Sequence, residues 1–407
     1  MRIRTLSTDN YKISDHPEAA SGGADAPGGR SPQRPQGPAA GPLALIVRAC
    51  RARLDYYYMS GRYRFSSEDP MAKIKVGVNG YGTIGKRVAT AVLAQDDMTL
   101  IGVSKTRPTF EAQTAVAAGI PLYVPAESIP AFDKAGIKVA GTIDDLIAAS
   151  DIIVDCTPGT VGPEDKAKYE KAGKKAIFQG GEEHGLTGVS FNSTANYKDS
   201  WGMQFSRVVS CNTTALLRTL SVLDRECKIK NAYVTIVRRA ADPGDSKSGP
   251  INALEPSVSL PTHHGLDVKS VLPWLDITTM AIKASTTLMH IQAVVVRLGK
   301  EITTEEAVAM FAKMPRVRLI SSKDGLKSTA QIMELARELG RSRSDMYEIC
   351  VWSDGIKMVG DTLYYYQAVH QESDVIPENI DCIRSMFKMM EGPESVAKTN
   401  RALGIDH

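Results

Sequence analysis

Cys211 stands where a strand gives way to a helix. Residues 207–210 read as the end of a strand, Cys211-Asn212-Thr213-Thr214 follows at once, and residues 215–220 read as helix. A thiol at a helix N-terminus faces the positive end of the macrodipole, which favours the thiolate. Upstream, Gly80-Tyr81-Gly82-Thr83-Ile84-Gly85 carries the spacing of a dinucleotide-binding turn. Its first glycine permits the tight turn, its second lets backbone approach a pyrophosphate, and its third lets the helix lie on the sheet. A dinucleotide site followed by an activated thiol points to one chemistry, oxidation of an aldehyde through a covalent thioester. That chemistry also needs a group to handle protons, donors for an oxyanion and cations for phosphate.

Seven histidines are available for the proton. His16 and His407 are near the ends, His370 lies beside Gln371, and His184 follows Glu182-Glu183 in a loop. His263 and His264 lie in a loop before Gly265, where they could meet a substrate. His290 sits within an apolar strand, where a lone histidine is usually a core residue. Residue pattern alone does not rank them. Arg238-Arg239 end a strand just before Asp242-Pro243-Gly244, and two guanidiniums there make a phosphate clamp. Lys247 could add an anion contact. At the end of the second strand an NAD-restricted site would place Asp or Glu. This chain has Ser104-Lys105-Thr106-Arg107 instead. Hydroxyls and cations suit a 2′-phosphate, so NADP is expected to be accepted alongside NAD.

The elements that must position these groups follow an α/β rhythm. Residues 73–78 form a buried strand, residues 83–94 an amphipathic helix and residues 99–103 a second strand. A short helix over 143–149 carries Asp144 and Asp145 in its first turn, where the dipole favours acids. Strands over 151–156 and 176–178 follow. Alternation of this kind predicts a parallel, doubly wound sheet of Rossmann type. After Cys211 the texture changes. Longer strands over 231–237 and 287–296, separated by polar loops, suit an α+β catalytic domain with a mostly antiparallel sheet. Helices are expected over 303–314, 329–339 and 380–390, the last packing back on the first domain. The expected organisation is a leader over 1–70, a dinucleotide-binding domain over 71–209, a catalytic domain over 210–370 and a returning C-terminal segment over 371–407.

Bulk composition agrees with an ordinary globular chain. It has 407 residues, 43% hydrophobic and 23% charged, enough for two domains and a sizeable core. The net charge of +3 lies wholly in residues 1–70, which hold 10 basic and 7 acidic residues. Nucleic acid or an anionic membrane is therefore not indicated as the main partner. The six cysteines form no CxxC and no zinc-type cluster with histidine, so no metal site is expected and a reducing compartment is. No apolar run reaches the roughly 20 residues of a membrane helix. Residues 22–42, rich in Gly, Pro, Ala and Ser, are expected to be disordered, or the leader is an upstream start codon, since Met71 opens a complete first strand. The basic-aromatic stretch 56–65 raises a third possibility, contact with RNA.

From Met71 to the end the chain resembles the archaeal-type phosphorylating glyceraldehyde-3-phosphate dehydrogenases. The matching segments are residues 78–88 (VNGYGTIGKRV), 178–181 (FQGG), 209–214 (VSCNTT), 238–243 (RRAADP), 249–252 (GPIN), 263–265 (HHG), 287–290 (TLMH), 371–373 (QES) and 375–380 (VIPENI). Their order makes the resemblance specific. It implies that Cys211 is the nucleophile, flanked by Ser210 and Asn212 in the substrate loop, and that His290 handles the proton. It implies ligand contacts at His264 and Gly265, and phosphate or cofactor contacts at Arg238 and Arg239, without settling which arginine serves which. Thr83 and Ile84 match the pyrophosphate turn with Gly80, Gly82 and Gly85, Gly181 a second cofactor loop, and Gln371 a residue near the nicotinamide. Dual use of NAD and NADP agrees with Lys105, and a cytoplasmic homotetramer acting on glyceraldehyde 3-phosphate and inorganic phosphate is implied. One departure is Gln292, where many relatives carry a second histidine. The alternative activity is a related acyl-phosphate reductase, such as a semialdehyde dehydrogenase, which uses the same thioester logic.

Overall fold

The first sheet is built from short, apolar segments whose side chains are buried on both faces, as a parallel sheet covered by helices requires. Its strands are β1 (Ile74–Asn79), β2 (Met98–Ser104), β3 (Leu122–Val124), β4 (Gly141–Thr142), β5 (Ile152–Asp155), β6 (Lys175–Phe178), β7 (Ser190–Phe191) and β8 (Phe205–Val208). The order is β4-β3-β2-β1-β5-β6-β8-β7, and every pairing is parallel. Crossovers run through α1 (Gly85–Leu93), α2 (Phe110–Ala117), α3 (Ile129–Lys134), α4 (Ile143–Ala149) and α5 (Gly162–Lys171). The strand order reverses at β1, between β2 and β5. In open α/β sheets the crevice at that point receives the ligand. This computed structural model describes residues 72–179, 181–241 and 252–405. The expectations for residues 1–70, Gly180, Asp242 to Gly244 and Lys247 lie outside the described residues.

α6 (Cys211–Cys227) leaves β8 after a two-residue step and leads into the second sheet. That sheet comprises β9 (Ile229–Arg239), β10 (Leu254–Pro256), β11 (Ile277–Ala284), β12 (His290–Leu298), β13 (Val317–Ile320), β14 (Ile349–Trp352), β15 (Lys357–Val359) and β16 (Thr362–Val369). Its order is β10-β11-β9-β12-β16-β14-β13, with β15 beside β16. Most pairings are antiparallel, but β11–β9 and β13–β14 are parallel. The remaining helices are α7 (His263–Lys269), α8 (Thr304–Phe311), α9 (Thr329–Glu338), α10 (Ile376–Met386) and α11 (Gly392–Leu403). The predicted helix over 380–390 thus begins earlier, because Pro377 occupies the first helical turn, where its missing N–H costs nothing. α11 starts the same way, with Pro393 in its first turn.

The core of the second sheet joins α6 residues Leu216, Leu220 and Leu223 to Val234, Ile236, Val294 and Val296. α10 is buried along its whole length and rests on α1 and β8. Three fully buried arginines converge on it. Arg218 of α6 pairs with Glu378 at 2.8 Å, Arg316 with Glu378 and Asp381 at 3.3 and 2.6 Å, and Arg384 of α10 itself with Asp97 at 2.8 Å. Removing one partner from such a pair strands a buried charge.

Candidate active site

The glycine turn is shaped by close contacts. Gly80 has φ +99°, and a Cβ there would lie 2.9 Å from the Cys156 carbonyl group. A Cβ on Gly85 would meet the Gly80 oxygen at 1.8 Å. Gly82 instead faces open space, with nothing within 4 Å of where its Cβ would be. Ile84 caps α1 without a side-chain hydrogen bond, and no acid occupies the first turn. These are the features an anionic pyrophosphate requires. A cleft of about 890 Å³ opens here, lined by Asn79, Gly80, Gly82, Thr83, Lys105 and Thr157 among others. A polar chain supports it from below. Ser104 Oγ donates to Asn79 Oδ1 at 2.6 Å and accepts from the Gly80 N–H at 2.8 Å. Asn79 Nδ2 donates to Tyr169 at 2.8 Å, and Tyr169 donates to Asp155 at 2.7 Å. The residues present fit a dinucleotide.

A second cleft, of about 720 Å³, shares Thr83, Ile84 and Gln179 with the first. Ser210, Cys211, Gly181, Arg239, Gln371 and His263 line it. Cys211 is the first residue of the 17-residue α6, and Asn212 Nδ2 lies 3.9 Å from its Sγ. Burial pushes the thiol up to about 12, and the nearby Asp374 carboxyl adds to the rise. Arg239, the Asn212 main chain and Arg238 pull the other way. The helix terminus is where sequence places it, but burial outweighs the expected thiolate stabilisation.

His290 opens β12 and is 4% exposed. Its Nδ1 accepts the Arg239 main-chain N–H at 3.0 Å. The proton of the neutral ring therefore sits on Nε2. Burial, then the charges of Arg239 and Arg238, hold this histidine well below its usual value. It is neutral at pH 7. His263 and His264 stack at 4.0 Å in the first turn of α7, not in a loop. His263 reaches the second cleft. His264 is buried behind it, 3.1 Å from Thr262 Oγ1, and burial lowers it to about 3. Gly265 also lies behind the wall, its N–H donating to Thr279 Oγ1 at 3.0 Å. His264, Gly265, Asn212, Arg238 and His290 are thus close to the cleft wall without lining it. Arg238 and Arg239, being consecutive in β9, project to opposite faces.

Beside the cysteine lies a supporting ion pair that residue pattern does not reveal. Arg207 of β8 and Asp267 of α7 form an ion pair beneath Ser210. Arg207 also donates to Ser190 Oγ at 2.8 Å and the Glu182 carbonyl at 2.7 Å. The second oxygen of Asp267 accepts from Thr213 Oγ1 at 2.6 Å and from Ser210 Oγ at 3.4 Å. Asp267 thereby fixes the first turn of the cysteine helix. A lone arginine in the strand before Cys211 was the available signal. Its partner 60 residues on was not visible.

Fold and clefts together define a nicotinamide-dependent oxidoreductase. The Glyceraldehyde 3-phosphate dehydrogenase, C-terminal domain model matches residues 210–355. The chain is 54% identical over 337 residues to the glyceraldehyde-3-phosphate dehydrogenase of Methanococcoides burtonii, covering 82% of this chain and 100% of that protein. It is 54% identical over 334 residues to the protein of the same name from Thermococcus kodakarensis, covering 82% and 99%. Among solved structures, aspartate semialdehyde dehydrogenase II of Vibrio cholerae, complexed with ASA, superposes with a TM-score of 0.56. It is 11% identical, covering 78% of this chain and 99% of that one, and shares the fold. The chain belongs to the glyceraldehyde-3-phosphate dehydrogenase family. Among the described residues no helix is long and apolar enough to cross a membrane.

Proposed function

We propose that the protein oxidises D-glyceraldehyde 3-phosphate to 1,3-bisphosphoglycerate, consuming inorganic phosphate and reducing NAD or NADP. The observation that carries this reading is Cys211 at the start of α6, in a cleft that adjoins the glycine-turn cleft through Thr83 and Ile84. Family membership supports the same substrate.

The bound nicotinamide would accept the hydride. Gly80, Gly82, Thr83, Ile84, Gly85, Lys105, Gly181, Arg239 and Gln371 would hold the cofactor. The remaining work falls to the protein. Cys211 Sγ bonds to the aldehyde carbon while the thiol proton passes to the carbonyl oxygen, giving a neutral thiohemiacetal. His290 Nε2–H donates to that oxygen as charge develops. When the carbon is oxidised to a thioester, the hydroxyl proton must leave. For the His290 ring to take it at Nε2, the ring proton must first shift to Nδ1, which requires releasing the Arg239 N–H. Phosphate oxygen then attacks the thioester carbon, the carbon–sulfur bond breaks, and the departing Sγ takes back the proton held by His290 as the acyl phosphate forms. Ser210, Asn212, His264 and Gly265 shape the substrate loop, and Arg238 contacts a phosphate. Residues 71–209 would serve as the dinucleotide-binding domain, residues 210–370 as the catalytic domain and residues 371–407 as the returning segment. A cytoplasmic homotetramer fits the family.

The test is absorbance of the reduced cofactor with glyceraldehyde 3-phosphate, with and without inorganic phosphate, in separate NAD and NADP reactions. Phosphate-dependent reduction is expected. Its absence in protein with a titratable Cys211, alongside turnover of aspartate semialdehyde, would move the assignment to the semialdehyde class.

A further inference from the structure

Lys105 is already engaged. Its Nζ lies 3.4 Å from the Tyr81 carbonyl oxygen and 3.8 Å from Glu111 Oε2. Glu111 is itself fixed. It occupies the first turn of α2, where the helix terminus favours an acid, and its Oε2 accepts from Thr109 Oγ1 at 2.5 Å. Burial alone would raise this carboxyl. The Thr109 hydroxyl, its own main-chain N–H, Lys105 and Lys86 together bring it below the usual value. Glu111 is therefore anionic at neutral pH. Lys105 lines the glycine-turn cleft, whereas Glu111 is outside its lining. The carboxylate thus flanks the ammonium from outside the cleft lining.

We propose that Glu111 is a specificity-determining residue that competes with the 2′-phosphate of NADP for Lys105. The inference rests on the reading of Lys105 as the 2′-phosphate contact. With NAD the Lys105–Glu111 pair persists undisturbed. With NADP the ammonium must leave Glu111 to reach the phosphate, and the carboxylate repels that phosphate from the flank. Glu111 thus subtracts from the advantage that Lys105 would otherwise give NADP, which keeps both cofactors usable. An acid at the end of β2 would exclude NADP by occupying the ribose position. An acid one helix away restrains the cation without taking the ribose site.

The test uses fragments that isolate the 2′-phosphate, 2′,5′-ADP and 5′-AMP, titrated calorimetrically into the wild-type protein, Glu111→Gln, Lys105→Met and the double variant. Cofactor preference is read in parallel as the ratio of kcat/KM for NADP and NAD. In Glu111→Gln, 2′,5′-ADP should bind roughly two- to fivefold more tightly, the scale of a partly exposed ion pair. Affinity for 5′-AMP should not move. The gain should vanish in the Lys105→Met background, since competition for Lys105 makes the two changes non-additive. Equal effects on the two fragments, no effect, or a gain that survives without Lys105 would overturn the role of Glu111. If Lys105→Met leaves 2′,5′-ADP binding unchanged, the reading of Lys105 itself fails, and the proposal with it.

Discussion

Gln292 donates from Nε2 to both the Oδ1 and the main-chain oxygen of Asn212, at 2.9 and 3.1 Å. Its own Oε1 accepts from Gln367 Nε2 at 2.6 Å. All three side chains are buried. Gln292 is therefore a clamp on the residue following the nucleophile. Gln292→Leu removes the donor and leaves the Asn212 oxygen and the Gln367 amide without partners. A loss of about 1–3 kcal/mol of stability is expected, the cost of stranded buried polar groups. A fall in kcat should accompany it. Denaturant unfolding and steady-state kinetics check both.

Cys211→Ser should abolish turnover while leaving dinucleotide affinity intact. The glycine-turn cleft is lined without Cys211, and only the second cleft contains it. Cofactor titration beside the absorbance assay separates the two effects. Substantial turnover by the serine variant would refute the thioester route.

His290→Asn should slow the chemistry by roughly 10²–10⁴-fold, the usual scale for a group that handles a proton. His263→Asn and His264→Asn should be milder, because the proposed route gives neither ring a proton to carry. The three variants assayed across pH decide the matter. A larger loss at His263 or His264 would transfer the proton role to α7.

Acid should weaken the fold before it ionises the buried His264 and His370. Burial holds both His264 and His370 at about 3, far below the ordinary value of 6.5. The unfolded chain takes up protons at these positions near pH 6.5, whereas the folded chain does not until about pH 3. Stability from this source is complete above pH 6.5 and is lost as pH falls toward 3. The slope is about 1.4 kcal/mol per pH unit for each uncompensated proton. Thermal unfolding at pH 7.5, 5.5 and 4.5 should show the decline, with a shallower slope in His370→Asn. A slope identical to wild type would rule His370 out as a contributor.

What sequence made legible was local. The strand–cysteine–helix step at 207–220 and the glycine turn at 80–85 each lie within a few residues, so periodicity and glycine spacing disclosed them. The parallel sheet followed from alternation alone. Contacts between distant segments were hidden. Arg207 and Asp267 meet only because α7 folds onto the start of α6, and the parallel β9–β11 pairing depends on a crossover through α7. The Cys211 thiol shows the same divide. Its helix terminus is local and was read, while the burial that raises it belongs to the tertiary structure. The helix expected over 380–390 starts at Ile376, since Pro377 sits in its first turn.

The three arginines gathered on α10 have a consequence for engineering. A chain stopped before residue 376 would keep both sheets and the nucleophile, yet would expose Arg218 and Arg316 as cations sealed in apolar surroundings. Such a fragment should aggregate rather than work as a smaller enzyme. Splitting the protein between its two sheets fails for the same reason, since Glu378 and Arg384 serve opposite halves from one helix. α10 is thus a keystone, and ribosome-bound chains from which it has not yet emerged would depend on chaperones.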